Sequence, residues 1–225
     1  MPSKKRKSNR SFVDKHIGFF PLLTLIFIMW VLYRSLFQFP VWFDETIGKA
    51  VFFGLPVWLY VVMTGSRSVG ETFAPYKLKN GLLLGLAFGG IFGFVSAILA
   101  LYQRGGVVQA AWVFSSPVYW REFFLAMMTA FWETLLFYSF VMTIVQEKFT
   151  RWTTTEQVFV VGLIFLLFHA PNTLLRFDLS LVLPQLLLML LFGIGQAYLF
   201  AARRNSYALI LSHAIWGMVL LVHFW

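Results

Sequence analysis

Apolar runs of membrane-crossing length recur along this chain, separated by short polar segments. They lie at about Ile17–Phe37, Ile47–Thr64, Gly81–Tyr102, Phe123–Val145, Val158–Leu175, Ser180–Ala202 and Tyr207–Trp225. A helix needs about 20 apolar residues to cross a hydrocarbon core of roughly 30 Å. The pattern therefore predicts an all-α, polytopic transmembrane helical bundle of about seven spans. The first run is longer than a signal-peptide core and no small-residue cleavage site follows it, so it is expected to remain as a helix. Pro21 falls in its first turns, where proline is tolerated, and Pro56 predicts a kink in the second span. Gly85, Gly89 and Gly93 form a four-residue stripe on the third run, a face that lets a neighbouring helix approach closely.

Composition and charge sharpen this reading. In 225 residues, 60% are hydrophobic and 12% charged, and the mean hydropathy is +0.77, which describes an integral, multi-pass membrane protein with little left over for a soluble domain. The net charge of +9 would suggest nucleic acid in a soluble chain. Here the Lys and Arg flank the spans, where they set orientation, and no nucleic-acid partner is expected. With an inside N-terminus, interior segments collect thirteen of the eighteen Lys and Arg; the outside keeps Arg34, Lys49, Arg104, Arg121 and Arg176. The organisation read from this is a basic cytoplasmic tail over 1–16, N-terminal transmembrane helices over 17–119 and a four-helix core over 120–225. His16 and His223 read as flanking or interfacial residues. The absence of cysteine excludes disulfides, thiol nucleophiles and thiolate metal sites.

The polar residues inside the spans carry the chemistry. Of nine acidic residues, Glu133 alone falls deep in an apolar run, and of four histidines only His169 and His213 do. An ionisable group at mid-bilayer costs roughly 2.5–3.5 kcal/mol on insertion scales, so each needs a partner inside the protein, and the three are the candidate partners for one another. A carboxylate and two imidazoles around a water form a competent hydrolytic site, the carboxylate taking a proton as the water attacks a carbonyl. The same trio also satisfies the two-His, one-Glu set of catalytic zinc, and the residues alone leave both open. Pro171 is expected to bend or end its helix just past His169. His213 is only six residues past Tyr207, a rise of about 9 Å, whereas Glu133 and His169 lie near mid-span.

The motifs are FWETLLFY over 131–138, FLLFHAPN over 165–172 and SHAIWG over 212–217. In order and spacing they resemble the CAAX protease and bacteriocin-processing family of intramembrane endopeptidases, which carries EExxxR, FxxxH and HxxxN on successive helices. The resemblance covers about residues 120–220. It implies that Glu133 activates the water, that His169 helps to hold it and that His213 supports the oxyanion. It also implies a glutamic mechanism with no cofactor, zinc being the disfavoured option. The implied partners are a membrane-associated protein or peptide substrate and the lipid bilayer, and the implied location is the bacterial cytoplasmic membrane.

Three positions depart from the family pattern. Thr134 stands at the second glutamate and Tyr138 at the arginine; four apart, they are expected to neighbour each other on one helical face. Both charges are missing together, which reads as a compensated exchange. Gly217 stands at the asparagine, removing a donor one turn from His213, and loss of one such donor typically costs about 10²–10³ in rate. Asn172, Gln196 or a water is the expected substitute; otherwise turnover is slow. Thr134, Tyr138, Asn172 and Gly217 are thus candidate supporting or substrate-contacting positions around the three. The alternative is a family member with little or no activity that acts as a bacteriocin-immunity or peptide-binding factor. A proton relay through Glu133 is a third reading, but no two related halves with paired broken helices are visible.

Overall fold

The computed structural model describes residues 16–103, 118–176 and 179–224. Residues 1–15 of the basic tail and the loop with Arg104, Gly105, Gly106 and Pro117 lie outside the described residues, as do the side chains of Arg176 and His223. The described chain is helical: α1 (Phe19–Leu36), α2 (Val41–Thr64), the short α3 (Arg67–Glu71), α4 (Leu78–Gln103), α5 (Tyr119–Lys148), α6 (Thr154–Arg176), α7 (Leu179–Arg203) and α8 (Ser206–Phe224). Six stretches among the described residues are long and apolar enough to cross a membrane. They are α1, α2, the segment Arg67–Ile98, α5, Thr154–Leu175 and Val182–Arg203. The run predicted at Tyr207–Trp225 forms α8. The chain is an integral, multi-pass, all-helical membrane protein.

The helix α5 is the central one. Of its most apolar window 56% is buried, against 28–33% for the other five stretches, so the remaining helices wrap around it. Its buried face is aromatic: Phe137 meets Phe53 of α2 and Phe165 and Phe168 of α6 edge-on, at ring separations of 5.1–6.0 Å, within the range where such pairs add about 0.5–1.5 kcal/mol each beyond area burial. The outer helices turn Leu25, Ile28, Leu82, Leu86, Leu187 and Leu191 outward, as a lipid-facing surface requires.

The glycine stripe is used for packing. A Cβ on Gly85 would lie 2.8 Å from the Ala208 carbonyl oxygen, and one on Gly89 would lie 2.7 Å from Ile215. Only hydrogen there lets the backbones of α4 and α8 meet.

Two helices are locally π-wound. In α2 the π stretches are Asp44–Gly48 and Ala50–Gly54; in α5 the stretch is Thr134–Met142, starting directly after Glu133. A π turn bonds i to i+5 in place of i+4 and so changes which residues share a face. The expectation that Thr134 and Tyr138 neighbour each other assumed α-helical spacing, and the π register removes its basis. Pro56 lies at the start of the regular part of α2, immediately beyond the π stretch. Pro171 does not end α6, which stays helical to Arg176.

His16 is a correction to the flank reading. It is 5% exposed, with Nδ1 2.8 Å from the Tyr60 hydroxyl and Nε2 2.9 Å from Glu147 Oε2, so it ties the start of α1 to α2 and α5.

Candidate active site

Three helices bring Glu133, His169 and His213 together despite the different depths read from the sequence. The Nε2 atom of His169 is 3.2 Å from Glu133 Oε2, and that of His213 is 3.5 Å from the same oxygen. Glu133 itself is 3% exposed and His213 6%.

The two imidazoles are held differently. Nδ1 of His169 lies 2.7 Å from the backbone carbonyl of Phe165, one turn earlier on α6. A carbonyl only accepts, so Nδ1 carries a hydrogen, and Nε2 is the atom turned toward Glu133. The Phe165 ring stacks on His169 at 4.1 Å between centroids. The FxxxH spacing thus supplies both a ring and a carbonyl from one residue. Nδ1 of His213 is buried with no hydrogen-bond partner among the described residues. That ring is held by packing: Phe192 meets its edge at 4.9 Å, and Trp216 stacks on Phe192 at 3.8 Å and donates from Nε1 to Ser96 of α4. Its tautomer is left to whatever meets Nε2, which can therefore carry the hydrogen.

A fourth group was not anticipated. The ammonium of Lys49 on α2 is 2.6 Å from Glu133 Oε1 and also pairs with Glu45 one turn earlier. Glu45 in turn accepts from Thr129 Oγ1 at 2.6 Å. The sequence reading assigned Lys49 to the outer flank and took the two histidines as the carboxylate's only partners; the residue is 4% exposed and buried against Glu133. The available signal was a lysine two residues inside an apolar run with a glutamate four residues before it. A second polar cluster lies beside it, where Arg34 pairs with Asp44, Tyr33 donates to Asp44 at 2.5 Å, and Arg34 Nε donates to Asn172 Oδ1 at 2.8 Å.

The other expected positions are placed as follows. Tyr138 is fully buried, stacked on Phe165, its hydroxyl 3.5 Å from the Gly193 carbonyl. Thr134 Oγ1 is buried with no partner among the described residues. Neither is bonded to Glu133. Asn172 accepts from Arg34 through its amide oxygen, and the Gln196 amide donates to Ser212 at 2.9 Å. A Cβ on Gly217 would meet only Ala126, at 3.9 Å, which leaves the position open to a side chain.

For zinc, the donor set fits poorly. Among the described residues, no group of three or more His, Cys, Asp or Glu side chains is arranged to hold a metal ion, and one oxygen of Glu133 already faces an ammonium.

A family model described as type II CAAX prenyl endopeptidase Rce1-like matches residues 115–219. No curated protein and no solved structure matches the chain. The matched segment contains α5, α6, α7 and most of α8, and with them all three residues around Glu133 Oε2. Over residues 115–219 this chain is similar to the Rce1-like CAAX prenyl endopeptidases, the same family that its motifs resemble.

Proposed function

We propose that this protein is an intramembrane endopeptidase that hydrolyses a peptide bond near the membrane surface with a water activated by Glu133. The observation that carries the reading is the convergence of both imidazole Nε2 atoms on one carboxylate oxygen, at 3.2 and 3.5 Å, inside a family of membrane proteases. Glu133 Oε2 takes a proton from the water as its oxygen bonds to the scissile carbonyl carbon. His169 Nε2, with its hydrogen held on the other nitrogen, accepts the water's second hydrogen and orients it. His213 Nε2–H donates to the oxyanion as charge develops. The proton on Glu133 then passes to the departing amide nitrogen as the carbon–nitrogen bond breaks, leaving an amine and a carboxylic acid that keeps the water's second hydrogen until it is lost to solvent.

The substrate class this supports is a lipid-anchored, hydrophobic or signal-like membrane protein or peptide, and the setting is the bacterial cytoplasmic membrane. Gly217 favours one other reading. With no side-chain donor there, and with the Gln196 amide bonded to Ser212, the same pocket serves a slow or inactive member that binds a bacteriocin or membrane peptide.

The experiment is a comparison of membrane-proteome termini between cells carrying the parent and cells carrying Glu133→Gln. Neo-termini present only with the parent are the expected result, and they persist after chelator treatment if no zinc takes part. Identical termini with both proteins sink the proteolytic reading.

A further inference from the structure

The carboxylate of Glu133 is shared between two sets of partners on opposite sides. Oε2 faces the imidazoles, whereas Oε1 is taken by Lys49 at 2.6 Å. Lys49 is itself braced by Glu45, four residues earlier on the same helix, and Glu45 by Thr129 of α5, one turn before Glu133. The contact between the helices is close: a Cβ on Gly54 of α2 would lie 2.5 Å from the indole of Trp132, the residue before Glu133. Both helices are π-wound beside this contact, and Lys49 sits between the two π stretches of α2. Three charges alternate in sign from Glu45 through Lys49 to Glu133, so neither carboxylate is buried without its counter-charge.

We propose that Lys49, held by Glu45, is the positioning residue for Glu133, fixing Oε1 so that Oε2 is presented to the two imidazoles and the water. Lys49 and Glu45 of α2 place charges beside Glu133 where Thr134 and Tyr138 of α5 place none. Lys49 lies outside residues 115–219, so the site extends into the N-terminal helices. The kinetic consequence rests on the proteolytic reading above, whereas the positional one does not.

The test uses the full chain in lipid vesicles, with Lys49→Met, Lys49→Arg and Glu133→Gln, and with Lys49→Met combined with Glu133→Gln. Cleavage of a membrane peptide that the parent cuts gives kcat and KM; thermal unfolding of the parent, Lys49→Met, Glu133→Gln and the double variant gives a double-mutant cycle. Lys49→Met is expected to lower kcat by about a hundredfold, the scale of a misplaced reacting group, with KM little changed. Lys49→Arg, which keeps a cation facing both carboxylates, should recover most of that loss. In the cycle, Lys49→Met should lower the unfolding midpoint more when residue 133 is Glu than when it is Gln. A Lys49→Met enzyme with the parent's kcat, failure of Lys49→Arg to recover activity, or equal midpoint losses in both backgrounds would overturn the proposal. If the parent cuts nothing, or Glu133→Gln cuts as well as the parent, the proteolytic reading falls and the thermal cycle alone decides the role of Lys49.

Discussion

Glu133 has two oxygens, and its surroundings separate their tasks: one faces a fixed cation, the other two imidazole rings held in different ways. His169 is pinned by the Phe165 carbonyl and His213 is free at Nδ1, so the two histidines are not interchangeable. Replacing either by Ala is expected to lower kcat by about 10²–10⁴, the usual contribution of a positioned proton-handling group; loss at only one of them would confine the chemistry to that ring. Gly217→Asn is the complementary gain. The space beside Ala126 accepts a Cβ, and one restored donor should raise kcat by up to about 10²–10³, the range that one oxyanion contact supplies. A variant no faster than the parent would show that the slot next to His213 takes no part. The trio was legible because an acid and two histidines stand out against apolar runs, and because spacing within one helix is local information. Lys49 was not, because a basic residue near the end of an apolar run looks alike whether it turns to the headgroups or inward. Only the packing of α2 on α5 distinguishes them.

Helix existence was readable from run length alone, and each expected run forms a helix within a few residues of its expected bounds. Winding was not readable, since apolar content is the same in α and π turns; the π stretches lie at Asp44–Gly48, Ala50–Gly54 and Thr134–Met142. Pro171 likewise was expected to bend or end α6, and it does not end it, since helix continues for five residues beyond it. Its neighbours Asn172 and Thr173 are bonded, Thr173 to the His169 carbonyl at 3.1 Å, and this turn is thereby kept helical. Packing between helices offers sharper tests. Gly85→Leu or Gly89→Leu drives a side chain into the backbone of α8 and should destabilise the bundle by about 1–3 kcal/mol or more, seen as a lower unfolding midpoint in detergent. Gly54→Ala places a methyl against Trp132 and displaces the segment that carries Lys49. Its expected signature is a fall in kcat out of proportion to the fall in midpoint; equal losses would mean that the α2–α5 contact serves stability only.

At the scale of the whole molecule, two polar ends can be told apart, and they match the division that charge alone predicts. One end joins segments assigned to the interior: Lys77 donates to the Arg204 carbonyl at 3.0 Å, Asn205 to the Lys77 carbonyl at 2.9 Å, and the Ser206 hydroxyl meets those of Thr72 and Ser139 at 2.8 and 2.7 Å. His16 and Glu147 meet at 2.9 Å in the same manner. The other end joins the turn after α1 to the end of α6 through Arg34, Asp44 and Asn172. With consecutive spans crossing in alternate directions, the excess of Lys and Arg on the first set predicts that this side is the interior. The chain has no cysteine, so single cysteines report sidedness without background. Phe39→Cys, in the exposed turn between α1 and α2, should react with a membrane-impermeant maleimide added to intact cells. Arg151→Cys, in the exposed turn between α5 and α6, should react only once the membrane is opened. The reversed pattern would invert the molecule in the bilayer. Labelling of both from one side would contradict alternate crossing of the spans.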